Sequence, residues 1–475
     1  MKKSVIRIGS FILILGVILG YVNKVFKVKY SDGIYSVTKF YELEDDTVDV
    51  LILGSSHAFE NFNTGTLWDE YGMASYILAG SLQPMWNTYY YLKEALKTQT
   101  PELIVLEGYM TCWKYEYIDD SRIIKNTYGL KWSKDKADAI KISAPEERWS
   151  EFFFEYQQYH TRYTELVSGD FLKNQDYRLY DDWKGFGCNM DTTPLDSIDV
   201  SGVTERTELY EKTEKYYRKI MELSKEKNIP IVVVISPYAG ITEEEQKIFN
   251  AAGYIAAEYD VPFVNCNLMI NEMGIDYSTD SGDDSHLNYK GNQKFSRYIG
   301  SYLKNNYDIS DRRRDDVCMS WQRSADYTRQ MIADQELIEC KDIDVISEKI
   351  HNKYYLLIIS VDGNCNTSDK NVVEFLQGQG IYDEGSPGIW VIENDERIWS
   401  SGMDDAEKYI RTSSHDFCLR RSLNASGQSC NEIIVDKIQY QKVENGVNVL
   451  IYDTMTEKIA DVFGINMDDD YNVIR

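Results

Sequence analysis

The chain has little positive charge. Against 77 Asp and Glu it sets 51 Lys and Arg, a formal net charge of -26 over 475 residues. A nucleic-acid backbone is held by clustered cations, so nucleic acid is excluded as a partner. None of the eight cysteines stands in a C-x-x-C pair. That excludes the common zinc and thioredoxin-like sites, and no metal or cofactor is predicted. There is no glycine-rich P-loop spacing to cradle a phosphate, no tandem repeat and no low-complexity tail. Histidine is scarce, at positions 57, 160, 286, 351 and 415, so few side chains can serve as a base near neutral pH.

Long apolar runs are also lacking, with one exception. Ile8–Val22 carries no charge, follows Lys2, Lys3 and Arg7, and precedes Lys24, Lys27 and Lys29. With Val5, Ile6 and Val25, and with Arg7 and Lys24 snorkelling, it approaches the ~20 residues that a bilayer requires. No small-x-small cleavage site and no lipobox cysteine follows, which favours an uncleaved signal anchor over a cleaved signal peptide. Lysines flank both sides, so charge bias decides orientation weakly. With no second run, the bulk of the chain lies on one side of the membrane. Outside the cell, disulfides are allowed. Cys418 and Cys430, bracketing a Ser/Asn/Gly loop, are then the candidate pair, with reduced, buried cysteines as the alternative.

Past the anchor, strands and helices alternate. Apolar runs at 48–54, 74–80, 102–108, 231–237 and 262–267 read as strands, and 85–97, 205–227, 243–259 and 291–305 read as helices. Near-continuous apolar strands belong to a parallel sheet covered on both faces. The fold class predicted is α/β, a three-layer α/β/α sandwich. An aromatic-rich insertion of poor periodicity spans about 111–203, beside the crevice where parallel sheets bind ligands. The charged stretch DISDRRRDD at 308–316 marks a linker. From 353 the pattern changes to short β-type runs at 354–361, 388–394, 432–440 and 448–454, interrupted by one helix at 370–379. The domains expected are an anchor at 1–30, an α/β domain at 31–307, a connecting segment at 308–350 and a second, smaller β-rich α+β domain at 351–475.

Two short segments carry chemistry. The first strand breaks at Gly54-Ser55-Ser56-His57, a position that exposes a side chain at the carboxyl edge of the sheet. Far downstream, SGDDSHLNYKGN at 281–292 holds Asp283 and His286 in D-x-x-H spacing. A serine hydroxyl needs a base to become nucleophilic. His286 supplies one, and Asp283 can orient its ring and stabilise the imidazolium. Asp280 and Asp284 stand close enough to leave that assignment open. The Ser56 amide and Gly80, at the end of the second strand, are candidate oxyanion donors.

A serine block after the first strand, a glycine after the second and D-x-x-H before the last helix resemble, in that order, the SGNH/GDSL hydrolase family over about residues 47–307. The resemblance implies a flavodoxin-like fold and Ser-His-Asp ester chemistry by Ser56, His286 and Asp283. It departs at the third block: the third strand ends in Glu107-Gly108-Tyr109, without the family's oxyanion asparagine, and Gly108 or Asn61 is the candidate substitute. The Gly-Ser-Ser-His start, the anchor and His160-Thr161-Arg162-Tyr163 are similar to the membrane-anchored subgroup of surface-polymer acylation proteins, those of teichoic-acid D-alanylation and alginate O-acetylation. Asn61, Tyr109, His160 and Arg162 are then candidate substrate contacts. The segments LLIISVDG, GIWVIENDERIW and GVNVLIYDTMTEKIADVFGIN resemble the interleukin-like (epithelial–mesenchymal transition inducer) domain. This implies a recognition module in which Trp390, Trp399 and Tyr440 could stack on sugars.

The function expected is an extracytoplasmic, membrane-anchored serine O-acyltransferase or acyl esterase acting on a surface glycan or teichoic-acid-like polymer. A membrane-bound O-acyltransferase partner is implied by the resemblance. The alternative is a catalytically inactive protein of the same fold that binds glycan or an assembly partner.

Overall fold

The computed structural model describes residues 2–26, 32–166, 168–171, 183–362, 369–382, 387–402, 404–425, 427–444, 446–466 and 472–475. The chain divides into two compact units, Met1–Asp326 and Tyr327–Arg475.

The first unit is built on a five-stranded parallel sheet of β1 (Val50–Gly54), β2 (Ser75–Ala79), β3 (Leu103–Glu107), β4 (Ile231–Ile235) and β5 (Phe263–Asn265). The strand order is β2-β1-β3-β4-β5, the doubly wound flavodoxin-like order. Every residue of β1 to β4 is buried, as a sheet with both faces covered requires. Leu51, Leu53, Ile104, Leu106 and Val233 share a core with Trp86, Tyr91, Tyr217 and Ile220 of the helices Met85–Ala95 and Glu211–Lys227. Alternation along the strands turns Val50, Ile52 and Val105 to the other face, outside that core, as are the buried Leu67 of Thr64–Tyr71 and Phe295 and Ile299 of Tyr289–Asn306. The sandwich is therefore three-layered. It places the ends of β1, β2 and β3 along one edge, with Gly54 opposite Ala79.

The insertion holds the helices Asp120–Thr127 and Lys134–Ser143. Its returning segment runs along edge strand β2, where Lys184 O accepts from Ile77 N at 3.0 Å. It then passes the 281–287 loop, where Thr193 N donates to Ser281 O and Tyr289 N to Asn189 O. The insertion thus covers a sheet edge that would otherwise be open and borders the carboxyl ends of the strands.

The N-terminal helix, Lys2–Phe26, contains a 22-residue span, Val5–Phe26, long and apolar enough to cross a membrane, whose most apolar stretch is unburied. Such a helix is compatible with a single-pass anchor or a signal sequence. Its last turn is covered. Val25 is buried, and Phe26 packs against Ile34, Tyr128 and Tyr159.

The second unit contains a six-stranded antiparallel sheet, β15-β14-β13-β6-β7-β8, and a four-stranded one, β12-β11-β10-β9. In chain order the strands are β6 (Tyr355–Val361), β7 (Gly388–Glu393), β8 (Glu396–Ser400), β9 (Ala406–Arg411), β10 (Asp416–Leu423), β11 (Ser429–Val435), β12 (Ile438–Gln439), β13 (Gly446–Asp453), β14 (Lys458–Asn466) and β15 (Val473–Ile474). Ile358, Val391 and Leu450 face Phe417, Leu419, Ile433 and Val435 of the smaller sheet. The opposite face, with Leu357, Ile359 and Val449, packs on Leu337, Ile346, Ile350 and Phe375 of three helices.

Several expectations are corrected here. The run at 432–440 is two strands, because Asp436 and Lys437 both adopt positive φ (50° and 74°) and form a two-residue hairpin turn. Cys418 and Cys430 are free; the ladder sets Cys430 opposite Ser422 and Cys418 opposite Ile434, four residues apart along the strand. Trp390 is buried in the core and cannot stack on a sugar. The turn residues Gly363 and Asn445, and Cys365, lie outside the described residues.

Candidate active site

β1 stops at Gly54 because nothing larger fits: a Cβ there would lie 2.8 Å from Glu107 Cβ and 3.0 Å from Ala58 Cβ. The chain turns at Ser55 into the helix Ser56–Asn61. Ser56 is its first residue, so its amide has no intrahelical acceptor. Residues four apart share a helix face. Ser56 and Glu60 lie on the half-exposed face, and His57 and Asn61 are buried.

The second half of the site is the tight loop 281–287, closed by a bridge between Ser281 and Leu287. Asp283 Oδ1 accepts from the backbone N–H of Ser285 (2.8 Å) and of His286 (2.9 Å). The same carboxylate meets His286 Nδ1 at 2.9 and 3.0 Å. Among the three neighbouring aspartates this settles the partner. Asp284 is exposed, and Asp280 is engaged by Lys294 at 2.6 Å. With Nδ1 held by a carboxylate, the imidazole carries its proton there and leaves Nε2 as the acceptor. Nε2 is buried and has no hydrogen-bond partner among the described residues. Burial opposes the imidazolium, but the bond to Asp283 and the charges of Glu60, Asp283 and Asp284 outweigh it and raise the His286 pKa. Burial likewise opposes ionised Asp283, and the His286 bond and charge lower its pKa despite it.

The two halves meet through buried polar groups. Asn61 Nδ2 donates to Ser236 Oγ (3.0 Å), and Asn61 Oδ1 accepts from Leu287 N (2.9 Å), the residue after His286. Ser236 Oγ also reaches Glu107 Oε1 at 3.4 Å, and Tyr109 N donates to that same oxygen at 3.1 Å. Glu107 is fully buried, and burial pushes its carboxyl up to about 8 against these hydrogen bonds. His57 is stacked on Tyr109 with ring centres 3.7 Å apart, and its ring centre is 5.2 Å from that of His286. Burial, and then the charge of His286, push the His57 pKa far down. His57 is therefore held neutral, and neither of its ring nitrogens has a partner among the described residues, whereas His286 is oriented by a carboxylate.

Glu60 Oε2 lies 3.8 Å from His286 Nδ1. Burial raises its carboxyl to about 7 against the opposing charge of His286. Glu60, Asp283 and His286 are the one set of three metal-type donors gathered within 4.8 Å among the described residues. Both carboxylates approach Nδ1, and only Asp283 is within hydrogen-bond distance of it.

No family model matches the chain, and no curated protein matches it. Two solved structures are similar in part. One is described as an acylhydrolase from Bacteroides fragilis, with 10% identity and a TM-score of 0.30, covering 59% of this chain and 99% of that one. The other is a GDSL-like lipase from Bacteroides thetaiotaomicron, with 12% identity and a TM-score of 0.28, covering 57% and 98%.

Of the residues singled out from sequence, Asp283 and His286 are in contact, and Ser56 begins the helix whose His57 and Glu60 approach the His286 ring. No hydrogen bond joins Ser56 to His286. Gly80 follows Ala79, the register partner of Gly54, and a Cβ on it would meet Asn126 Oδ1 at 2.4 Å. Gly80 is thus at the right edge, with a side-chain amide from the insertion over it. The Nδ2 of Asn126 is engaged by the carbonyls of Ser81 and Arg122. Asn61 is corrected: it is fully buried and both ends of its amide are used, so it is a strut and not a ligand contact. Tyr109 stays at the site, half-buried. Arg162 lies elsewhere, where it binds both oxygens of Asp170 and donates to Phe26 O at 2.9 Å, at the end of the N-terminal helix. The side chain of His160 lies outside the described residues. Glu60 and Glu107 were missed. For Glu60 the signal was its i+4 spacing from Ser56; for Glu107 it was an acid closing an otherwise apolar strand.

Proposed function

We propose that the chain is an extracytoplasmic, membrane-anchored serine enzyme of SGNH type, an acyl esterase or O-acyltransferase acting on a cell-surface polysaccharide. One observation carries this reading: His286 is oriented by Asp283 through Nδ1 while Nε2 is buried and unpartnered, and the helix that begins at Ser56 reaches this loop through Glu60 and Asn61. Ser56 Oγ forms a bond to the acyl carbon as its proton passes to Nε2. Collapse breaks the bond from the acyl carbon to the donor oxygen, which takes that proton. A sugar hydroxyl or water then attacks the acyl carbon as its proton passes to His286, and the bond to Ser56 Oγ breaks as Oγ takes that proton back. The Ser56 and Gly80 amides serve the oxyanion. The insertion segment bordering the strand ends favours transfer by restricting water. The apolar helix supports placement at a membrane, where a membrane-bound O-acyltransferase would supply the acyl group.

An active-site serine probe such as a fluorophosphonate tests the reading. Wild type is expected to label, and Ser56→Ala and His286→Ala to lose labelling. Silence of all three would favour the second reading, a catalytically inactive glycan-binding or assembly protein. The missing amide at the end of β3 is the feature that supports it.

A further inference from the structure

His286 faces two carboxylates, and only one belongs to the expected triad. Asp283 keeps its charge readily but is the more exposed of the two. Its side chain is 48% exposed, and an exposed carboxylate is screened by water. In a triad the acid is ordinarily buried. Glu60 is 21% exposed, so its carboxyl ionises only near pH 7, and the charge it then carries acts through a less polar medium. It sits one helical turn after Ser56, on the same half-exposed face, and its Oε2 is 3.8 Å from the nitrogen that Asp283 holds. The helix that presents the nucleophile therefore also presents an acid to the base.

We propose that Glu60 is a second carboxylate for His286, a positioning residue that shares with Asp283 the imidazolium formed when Ser56 gives up its proton. This rests on the Ser56–His286–Asp283 reading for its catalytic meaning, but not for its physical content. The groups facing His286 are Asp283 and Asp284 from its own loop, Glu60 and His57 from the Ser56–Asn61 helix, and Glu107 from β3. Asp32 acts on Glu60 in turn. Of these, Glu60 and Asp283 are the two within 4 Å of the ring nitrogen.

The test is a histidine NMR titration of the full chain, labelled at its five histidines, with His286 assigned by His286→Gln. Glu60→Gln is expected to lower the His286 midpoint. Asp283→Asn is expected to lower it too, and the double variant to lower it further. Ester hydrolysis, read alongside, is expected to survive in part in Asp283→Asn. It should fall by roughly tenfold or more again in the double variant, while Glu60→Asp keeps more than Glu60→Gln. A midpoint unmoved by Glu60→Gln, in both the wild-type and the Asp283→Asn background, overturns the proposal whatever the activity. A wild type that titrates as expected but hydrolyses nothing sinks the enzymatic reading and leaves the proposed carboxylate pair standing.

Discussion

Glu107 is the residue whose chemistry depends most on where the fold puts it. In sequence it is an acid at the end of an apolar strand. In the structure it is fully buried and its carboxyl is pushed up to about 8 from 4.5. The folded protein therefore holds a proton that the unfolded chain releases between those values. Stability from this group is intact below pH 4.5 and falls as pH rises towards 8, by roughly 3–5 kcal/mol over the window. Glu107→Gln keeps a neutral side chain of the same shape at every pH. Its melting temperature is expected to match wild type at pH 5 and to exceed it at pH 8, measured by calorimetry of both proteins in parallel. A constant difference between the two pH values would contradict a protonated, buried Glu107. Asp283 is the opposite case. Its D-x-x-H spacing favours it over Asp284 in the sequence, and the two backbone N–H groups that fix its carboxylate are what no spacing reveals.

At the scale of elements, the strut between the nucleophile helix and the histidine loop is the feature to perturb. Asn61 holds Leu287 N and Ser236 Oγ together. Asn61→Ala orphans a buried N–H, which costs about 1–3 kcal/mol, and frees the loop that carries His286. Chemical denaturation should show that loss, and serine-probe labelling should slow more than the loss of stability alone explains. An aspartate there, whose oxygen can still accept from Leu287, should recover part of the labelling rate. Legibility at this scale follows burial. β1 and β4 are apolar throughout, β3 and β6 are so apart from Glu107 and Ser360, and all four were readable as strands. β8, β9 and β10 were not, since they are half-exposed and carry charges such as Glu407, Lys408 and Arg420. In those strands the period-2 signal is diluted by ion pairs, as where Arg420 meets Glu407 and Glu432.

At the scale of the molecule, the boundary between the units is where sequence and structure part. The charged stretch at 308–316 reads as a linker, and the β-type pattern from 353 reads as the start of a domain. Yet the compact unit begins at Tyr327, because helices without a strong apolar stripe supply its core. Leu337, Ile346 and Ile350 are buried against β6 and β13, and Asp334 accepts from Tyr355 Oη at 2.7 Å. Burying three such aliphatic side chains is worth roughly 5–9 kcal/mol, comparable with the whole 5–15 kcal/mol stability of an ordinary domain. A fragment spanning 327–475 is therefore expected to melt cooperatively. A fragment spanning 351–475 keeps every strand but exposes one face of the six-stranded sheet, and it should aggregate or lack a cooperative transition. Equal, cooperative melting of both fragments would show that the helices decorate the sheet and do not complete its core.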